Sequence, residues 1–296
     1  MLKRIFKKIY SLIPFKKQLF MLYKQLFSPS EKIYQHLYFK GFFKVNVNEK
    51  KSFQLYHAGH IEENQIFWKS LKGGWEKKSI SLWEKLVENA DCVLDIGANT
   101  GLYGLVAKCT NPKATVHCFE PLAGVYSILS KNITRNHYSI FPHQKALSNY
   151  NGKANVYLPK GNEFVYSVTV NENTLTTRSL DEVDEVEIET IRLDTFIEQN
   201  NISNIDLMKI DVETHEPEVI EGMGVYFKQF RPSLIIEVLD EKIAEKLNVL
   251  FEGMDYLYFN IDDKNNSLRK VDKFTPSDHW NFLVCKKEVA LSLNLI

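Results

Sequence analysis

The stretch Val-Leu-Asp-Ile-Gly-Ala-Asn-Thr-Gly at residues 93–101 decides the fold class. It predicts a buried strand that ends in an acid and passes through a glycine-containing turn into a helix, and open α/β sheets bind ligands at this end of a strand. A dinucleotide loop needs a glycine where Asn99 stands, because the backbone there must approach a pyrophosphate. Asp95 adds a negative charge beside the turn, which suits the sulfonium and ammonium groups of S-adenosylmethionine. The stretch therefore favours S-adenosylmethionine over a nicotinamide dinucleotide.

Outward from this loop, apolar strands alternate with helices along most of the chain after residue 91. The predicted strands lie at 92–96, 115–119, 140–147, 205–210, 234–239, 256–261 and 282–285, and helices are expected at about 101–109, 122–134, 215–228 and 241–251. This pattern predicts an α/β fold with a doubly wound, mostly parallel seven-stranded sheet. Residues 151–193 break the alternation and are predicted to be an insertion over the sheet edge.

An N-terminal extension, residues 1–75, is expected to precede a Rossmann-like domain at 76–296. The whole chain carries 37 basic and 37 acidic residues, yet its first 30 residues contain basic side chains and no acid. Residues 2–27 have the spacing of two amphipathic helices, and residues 42–57 have that of a β-hairpin. The basic helices could bind a membrane surface or pack on the protein itself, and the sequence leaves both interpretations open.

Several classes of partner are disfavoured by composition. The neutral charge, and the lack of a basic, aromatic-lined stripe after residue 91, argue against nucleic acid. The chain has no run of 18 apolar residues, which argues against a membrane-spanning helix. Its four cysteines form no CxxC pair, which is typical of reduced thiols in a cytoplasmic protein. We therefore expect a cytoplasmic location, with peripheral contact at the inner face of the membrane through residues 2–27 as one interpretation.

A second acid follows the second predicted strand, where Glu120 stands 25 residues after Asp95. An acid at this point can accept hydrogen bonds from both ribose hydroxyls of a nucleoside cofactor. With these two acids in place, residues 91–286 resemble a class I S-adenosylmethionine-dependent methyltransferase, and in detail the FkbM family. The matching segments are 95–101, 119–121, 146–148 and 207–216, the last reading Leu-Met-Lys-Ile-Asp-Val-Glu-Thr-His-Glu. The family usually has glycine where this chain has Thr214.

The resemblance implies methyl transfer from S-adenosyl-L-methionine to an oxygen, commonly a sugar hydroxyl of a small molecule or surface polysaccharide. The residues expected at the cofactor are Asp95, Gly97, Asn99, Gly101, Glu120, Ala146 and Asp211. We therefore predict an O-methyltransferase that acts on a polysaccharide or glycoconjugate. A methyltransferase for a lipid or small metabolite, and a cofactor-binding protein without turnover, are the alternatives.

A second cluster of ionisable residues ends the fourth predicted strand, at residues 209–216. His215 is predicted to be the general base, because a neutral imidazole can accept the hydroxyl proton, and Asp211 is predicted to position the cofactor end of the site. A divalent metal held by Asp211, Glu213, His215 or Glu237 is the less favoured alternative, and we predict no metal. A purely structural role for the acids is the third possibility.

Overall fold

The computed structural model describes residues 14–159 and 183–296. Its strands are β1 (Gly41–Asn46), β2 (Ser52–His57), β3 (Cys92–Ile96), β4 (Thr115–Phe119), β5 (Ile140–His143), β6 (Ala146–Ser148), β7 (Gly152–Pro159), β8 (Val183–Arg192), β9 (Leu207–Ile210), β10 (Ser233–Glu237), β11 (Leu257–Asp262), β12 (Ser267–Val271) and β13 (Asn281–Cys285). Its helices are α1 (Lys16–Leu26), α2 (Glu31–Tyr34), α3 (Ile61–Lys69), α4 (Lys77–Val87), α5 (Leu102–Thr110), α6 (Ala123–Asn136), α7 (Leu193–Gln199), α8 (Glu216–Met223), α9 (Val225–Phe230), α10 (Glu241–Leu250) and α11 (Lys287–Ser292).

The main sheet has the strand order β12-β11-β13-β10-β9-β3-β4-β5. Strands β5, β4, β3, β9 and β10 run parallel, whereas β13 is antiparallel to both of its neighbours. Alternate residues of a strand enter two separate cores, because successive side chains point to opposite faces. Val93 and Leu207 pack in one core, and Leu94 and Met208 pack in the other. The doubly wound, mostly parallel α/β fold is therefore confirmed.

Three details differ from the sequence prediction. The sheet has eight strands rather than seven, because β12 pairs with β11 as an edge hairpin whose residues are mostly polar. The strand predicted at 140–147 is two strands, since β5 joins the main sheet and β6 pairs with β8 in another. The helix predicted at 215–228 is broken at Gly224, whose φ of 55° separates α8 from α9.

The described ends of the predicted insertion at 151–193 form most of a second, three-stranded sheet. Its order is β6-β8-β7, with β8 antiparallel to β7 and parallel to β6. Residues 160–182 lie outside the described part of the chain. The close approach of helix α8 fixes this sheet to the main domain, because a Cβ atom on Gly222 would stand 2.1 Å from the Ser148 carbonyl oxygen.

The N-terminal region packs on the main domain through the predicted β-hairpin, which is confirmed as β1 and β2. Phe43 and Leu55 lie in the same core as residues of α5 and α6. Two amides of α6 meet the outer edge of β2: Asn136 Oδ1 accepts a hydrogen bond from the Gln54 amide at 2.7 Å, and Asn132 Oδ1 accepts one from the Tyr56 amide at 2.8 Å. The boundary between an N-terminal extension at residues 1–75 and a Rossmann-like domain at 76–296 stays a prediction.

The second of the two predicted amphipathic helices is confirmed as α1. The first falls on residues 2–13, which lie outside the described part of the chain. Phe20 and Tyr23 of α1 contact the Trp68 ring, with centroids 5.7 Å and 6.1 Å away. Within residues 14–159 and 183–296, no helix has the length and apolar character needed to cross a bilayer.

Candidate active site

The turn after β3 forms the floor of the site. Gly97 has a φ of 75°, and a Cβ atom there would stand 1.8 Å from the Asp211 carbonyl oxygen. The Gly97 and Ala98 amides donate to the Phe119 carbonyl oxygen at 3.1 Å and 2.8 Å. Only glycine permits this close approach of the turns after β3 and β9, which is the physical reason for the first glycine of the motif.

Asp95 is buried at the end of β3, with 1% of its surface exposed. Its Oδ2 accepts a hydrogen bond from the Gly104 amide at 2.8 Å, close to the N-terminus of α5. Burial raises the pKa of Asp95 to about 7, although the Gly104 amide and the Lys209 charge oppose this rise. A cation at this point would therefore favour the charged carboxylate.

Glu120 lies at the end of β4 and is also buried. Its Oε2 accepts a hydrogen bond from the Asn99 amide at 3.2 Å, and its Oε1 accepts one from the Leu122 amide at 2.9 Å. Burial raises the pKa of Glu120 to about 8. Each oxygen keeps a lone pair for another donor, so the carboxylate can still accept from hydroxyl groups.

A narrow cleft brings together most of the residues predicted to bind the cofactor. Its lining includes Gly97, Asn99, Glu120, Ala146 and Asp211. Asp95 instead lines the neighbouring larger cavity. Gly101 is in the lining of neither space: a Cβ atom there would stand 2.4 Å from Leu129 Cδ1, so this glycine allows α5 to pack against α6.

The larger cavity has a volume of about 670 Å³ and adjoins the narrow cleft. The two spaces share four residues, which are Gly97, Asn99, Asp211 and Glu213. Trp75 and Trp280 line the larger cavity, and Trp280 is 54% exposed. Because the shared residues follow β3 and β9, a molecule in the larger cavity and a molecule in the cleft would come into contact at the ends of these two strands.

A buried lysine lies between acids in the larger cavity. Lys209 Nζ donates to Asp211 Oδ2 at 2.8 Å and lies 5.2 Å from the centre of the Tyr103 ring. The Tyr103 hydroxyl donates to Glu76 Oε2 at 2.6 Å, and Asn281 Nδ2 donates to Glu76 Oε1 at 2.9 Å. Burial alone would lower the pKa of Lys209, but the surrounding carboxylates raise it above its usual value.

Glu76, Tyr103 and Asn281 were not predicted as site residues from the sequence. The sequence feature that indicated such residues was Lys209, since a lysine inside an apolar strand needs anionic partners. That signal indicates that partners exist, but it does not identify them, because Glu76 and Asn281 are 205 positions apart.

The turn after β9 has a strained backbone. Glu213 and Thr214 have φ values of 54° and 75°, which non-glycine residues rarely adopt. The Glu216 Oε1 atom accepts hydrogen bonds from the Val212 and Thr214 amides, at 3.1 Å and 3.2 Å. These two bonds hold Thr214 in the conformation that the glycine usual in the family would adopt freely.

Three carboxylates converge beside this turn. One oxygen each of Asp211, Glu213 and Glu237 lies within 4.8 Å of the others. Burial, followed by the Asp211 charge, raises the pKa of Glu237 to about 10. Of the four candidate metal ligands named from the sequence, the three carboxylates thus come together, and His215 is not part of the group.

His215 lies on the side of the narrow cleft. Its Nε2 atom is 3.0 Å from Ser148 Oγ, and its Nδ1 atom is 3.7 Å from Glu218 Oε2. Burial lowers the pKa of His215, so the ring is neutral near pH 7. His215 lines the narrow cleft but is not in the lining of the larger cavity. Its role as general base stays a prediction, and its position favours a contact with the cofactor side of the site.

Comparison with known proteins now assigns the chain. The family model described as the methyltransferase FkbM domain matches residues 95–264. The chain belongs to the FkbM methyltransferase family. This confirms the resemblance seen in the sequence and supports S-adenosyl-L-methionine as the cofactor. The residues fit that group: Glu120 offers acceptors for ribose hydroxyls, and Asp95, which lines the adjoining larger cavity, suits its positive charge.

Three curated methyltransferases are similar to this chain over about half of its length. Methyltransferase 1 of Beauveria bassiana (strain ARSEF 2860) is 26% identical over 51% of this chain and 65% of its own length. The 31-O-demethyl-FK506 methyltransferase FkbM of Streptomyces tacrolimicus is 29% identical over 45% of this chain and 59% of its own length. The hexuronic acid methyltransferase AglP of Haloferax volcanii is 27% identical over 55% of this chain and 62% of its own length. The chain thus spans less than two thirds of each relative's length.

Proposed function

We propose that this protein is an S-adenosylmethionine-dependent O-methyltransferase whose acceptor is a sugar hydroxyl of a polysaccharide or glycoconjugate. The observation that carries the proposal is the junction of the two spaces at Gly97, Asn99, Asp211 and Glu213. A cofactor in the cleft and an acceptor in the larger cavity would there be close enough for direct transfer.

The lining of the larger cavity supports a sugar as the acceptor. Trp75 and Trp280 offer aromatic faces, which can stack on the apolar face of a sugar ring. Gln65 and Asn281 offer amides, and several carboxylates offer hydrogen-bond acceptors for hydroxyl groups. The similar protein AglP of Haloferax volcanii, a hexuronic acid methyltransferase, also supports a sugar acceptor.

Each residue of the site has a defined task in this proposal. When bound, S-adenosylmethionine supplies an electrophilic methyl group on a sulfonium. Glu120 accepts from ribose hydroxyls, while Asp95 and Asp211 place negative charge near the cationic end. The acceptor oxygen forms a bond to the methyl carbon as the carbon–sulfur bond breaks. The hydroxyl proton passes to water in the open acceptor cavity, beside the carboxylates of Asp211, Glu213 and Glu237.

A panel of acceptors tests this proposal. Purified protein is incubated with S-adenosylmethionine and with neutral glycosides, uronic acids, phospholipids and small phenols, and S-adenosylhomocysteine is measured by mass spectrometry. We expect turnover with a glycoside, a KM raised by Trp280→Ala, and a smaller effect of Trp280→Phe, which keeps an aromatic face. Turnover with phospholipids or phenols but with no sugar would contradict the proposal.

A membrane-associated acceptor is the second candidate, and α1 favours it. The helix contacts the protein through Phe20 and Tyr23, yet Leu22 and Leu26 are 57% and 68% exposed on it. Apolar side chains beside basic residues are typical of helices that lie on an anionic membrane. We therefore propose peripheral contact through residues 2–27, at the inner face of the membrane.

A cytoplasmic location is supported by the cysteines, which are free thiols in the structure.

A further inference from the structure

The three carboxylates at the junction of the two spaces come from separate parts of the fold. Asp211 follows β9, Glu213 lies in the strained turn, and Glu237 ends the neighbouring parallel strand β10. One oxygen of each lies within 4.8 Å of the others, and all three side chains line the larger cavity. Like charges at this separation repel each other strongly in a partly buried site. A group of this kind needs protons or a cation to be stable.

Glu237 gives an independent indication that a cation belongs here. The residue is only 8% exposed, and its Oε2 atom is buried with no hydrogen-bond partner in the part of the chain that the structure describes. An unpartnered buried carboxylate oxygen is costly, and proteins usually satisfy such atoms. The oxygen belongs to the carboxylate that faces Asp211 and Glu213. A bound cation would give it the partner that it lacks.

Lys209 neutralises this cluster only in part, because it supplies one positive charge for three carboxylates. Its Nζ atom bonds to one oxygen of Asp211, at 2.8 Å, which leaves the second Asp211 oxygen for another partner. The rest of the cavity is acidic as well. Its lining contains lysines at 209 and 264 but includes the acids Glu62, Glu63, Glu76, Asp95, Asp263 and Asp278 in addition to the cluster. The local charge therefore favours a divalent cation.

We propose that Asp211, Glu213 and Glu237 bind a divalent cation of the Mg²⁺ or Mn²⁺ class, and that this cation takes the acceptor hydroxyl as a further ligand. Carboxylate oxygens are the ligands that these hard cations prefer, and Mg²⁺ keeps open positions for water or substrate. Ligands of one such ion lie about 3–4 Å apart at distances of about 2.1 Å from it, so small side-chain movements from the present spacing suffice. The cation lowers the pKa of the bound hydroxyl, so its proton can pass to water in the cavity as the oxygen forms its bond to the methyl carbon.

Direct binding of Mn²⁺ tests the site without reference to turnover. Protein freed of metal by EDTA and dialysis is titrated with Mn²⁺ and followed by electron paramagnetic resonance. We expect one bound ion in the wild type and at least about a tenfold weaker affinity in Glu237→Gln, because one of three charged ligands is lost. Glutamine has the shape of the protonated carboxyl, so we expect this variant to fold, and circular dichroism checks that it does.

The matched control is Glu241→Gln, which removes the same charge from an exposed position of α10, four residues further along the chain. It should leave Mn²⁺ affinity unchanged. Equal affinity in wild type and Glu237→Gln would overturn the site, as would the absence of Mn²⁺ binding to the wild type.

The part of the inference that concerns the acceptor rests on the proposed function. Turnover should stop in EDTA and return with Mg²⁺. Undiminished turnover of the metal-free enzyme would overturn the role of the cation in the reaction. Mn²⁺ bound at the site, with no methyl transfer to any sugar, would instead contradict the proposed function and leave the site standing.

Discussion

The Nζ atom of Lys209 lies 2.8 Å from Oδ2 of Asp211, and both residues line the larger cavity although their side chains differ in exposure. The Lys209 side chain is 2% exposed, whereas that of Asp211 is 31% exposed. The buried lysine thus fixes the orientation of a carboxylate that reaches both the cleft and the larger cavity. Lys209 lies in β9 and Asp211 directly follows the last residue of that strand, so the strand positions both side chains.

Replacing this lysine should be strongly destabilising. Lys209→Met leaves the nearby carboxylates Asp211, Glu76 and Glu237 without their buried counter-charge. We expect the free energy of unfolding to fall by about 2–4 kcal/mol, somewhat less than for a fully buried pair because Asp211 is partly exposed. Urea denaturation measures the change, and the double variant with Asp211→Asn should recover part of it. A loss below about 0.5 kcal/mol would mean that the pair contributes little.

Cofactor affinity should depend on pH through Glu120 and Asp95. Burial raises their pKa values to about 8 and about 7, so both bind protons near neutrality in the cofactor-free protein. The ribose hydroxyls and the ammonium group of S-adenosylhomocysteine favour the charged carboxylates, so this ligand should bind more tightly as the pH rises from 6 to 8.5. Glu120→Gln should flatten the upper part of this profile. Calorimetry in buffers of different ionisation enthalpy measures the released proton, and a flat wild-type profile would contradict the prediction.

The same pKa values predict the opposite trend for stability. Acids with raised pKa values bind protons more tightly in the folded state than in the unfolded chain. Their contribution to folding is present at low pH and is lost as the pH rises from about 4 through the folded values of about 7 and 8. Urea denaturation of cofactor-free wild type and Glu120→Gln across this range measures it, and we expect a smaller loss in the variant.

Gly97→Ala should abolish cofactor binding. The added Cβ atom would stand 1.8 Å from the Asp211 carbonyl oxygen, which forces apart the turns after β3 and β9. Gly253→Ala is a matched control, because its φ of 72° is similar but, apart from its chain neighbours, no described residue has an atom within 4 Å of the added Cβ. The control should cost about 1–2 kcal/mol of stability and leave S-adenosylhomocysteine affinity unchanged. Wild-type affinity in Gly97→Ala would show that the close approach is not needed.

His215→Asn should lower kcat by less than about tenfold, whereas a positioned general base contributes about 10²–10⁴-fold. The reason is the location of the ring in the narrow cleft, where Nε2 is 3.0 Å from Ser148 Oγ. S-adenosylhomocysteine affinity, measured by calorimetry, should fall instead. A kcat reduced by 10² or more with unchanged cofactor affinity would support the general-base role predicted from the sequence.

The exposed face of α1 should direct membrane binding. We expect wild-type protein to sediment with vesicles that contain anionic lipid, and to do so less at high salt. Leu22→Ser with Leu26→Ser should reduce sedimentation without changing the melting temperature, because both side chains are exposed and the contacts of Phe20 and Tyr23 with Trp68 remain. Vesicles of neutral lipid are the control. Equal sedimentation of wild type and double variant would reject the membrane contact.

Local sequence was sufficient to predict the frame of the site. The strand, acid and glycine turn at 93–101 form one continuous unit, so their geometry follows from chain-local rules, and Gly97 takes the positive φ that its motif predicts. The acids after parallel strands were also predictable, because the carboxyl ends of β3, β4 and β9 meet at one edge of the sheet. The presence of a core on each face of the main sheet was predictable too, because its parallel strands are mostly apolar.

The rest depended on pairings between distant residues. Glu76 bonds to Tyr103 and Asn281, and no periodicity in the sequence joins these positions. The orientation of His215 depends on the close packing of α8 against Ser148, which a spacing argument does not contain. Strand β12 escaped prediction because an exposed edge hairpin with polar residues lacks a clear apolar alternation.

The amides of Asn132 and Asn136 have a further consequence, which concerns aggregation. A two-stranded sheet leaves unpaired donors on its outer edges, and another chain can add a strand there. In β2 these donors, the amides of Gln54 and Tyr56, are already occupied by α6. Asn132 also donates to the Thr100 carbonyl oxygen of the cofactor turn, at 2.8 Å. Loss of the Asn132 side chain would leave the Tyr56 amide unpaired on the edge of β2 and would remove the hydrogen bond to the Thr100 carbonyl oxygen. Solubility and cofactor binding are therefore expected to decline in parallel.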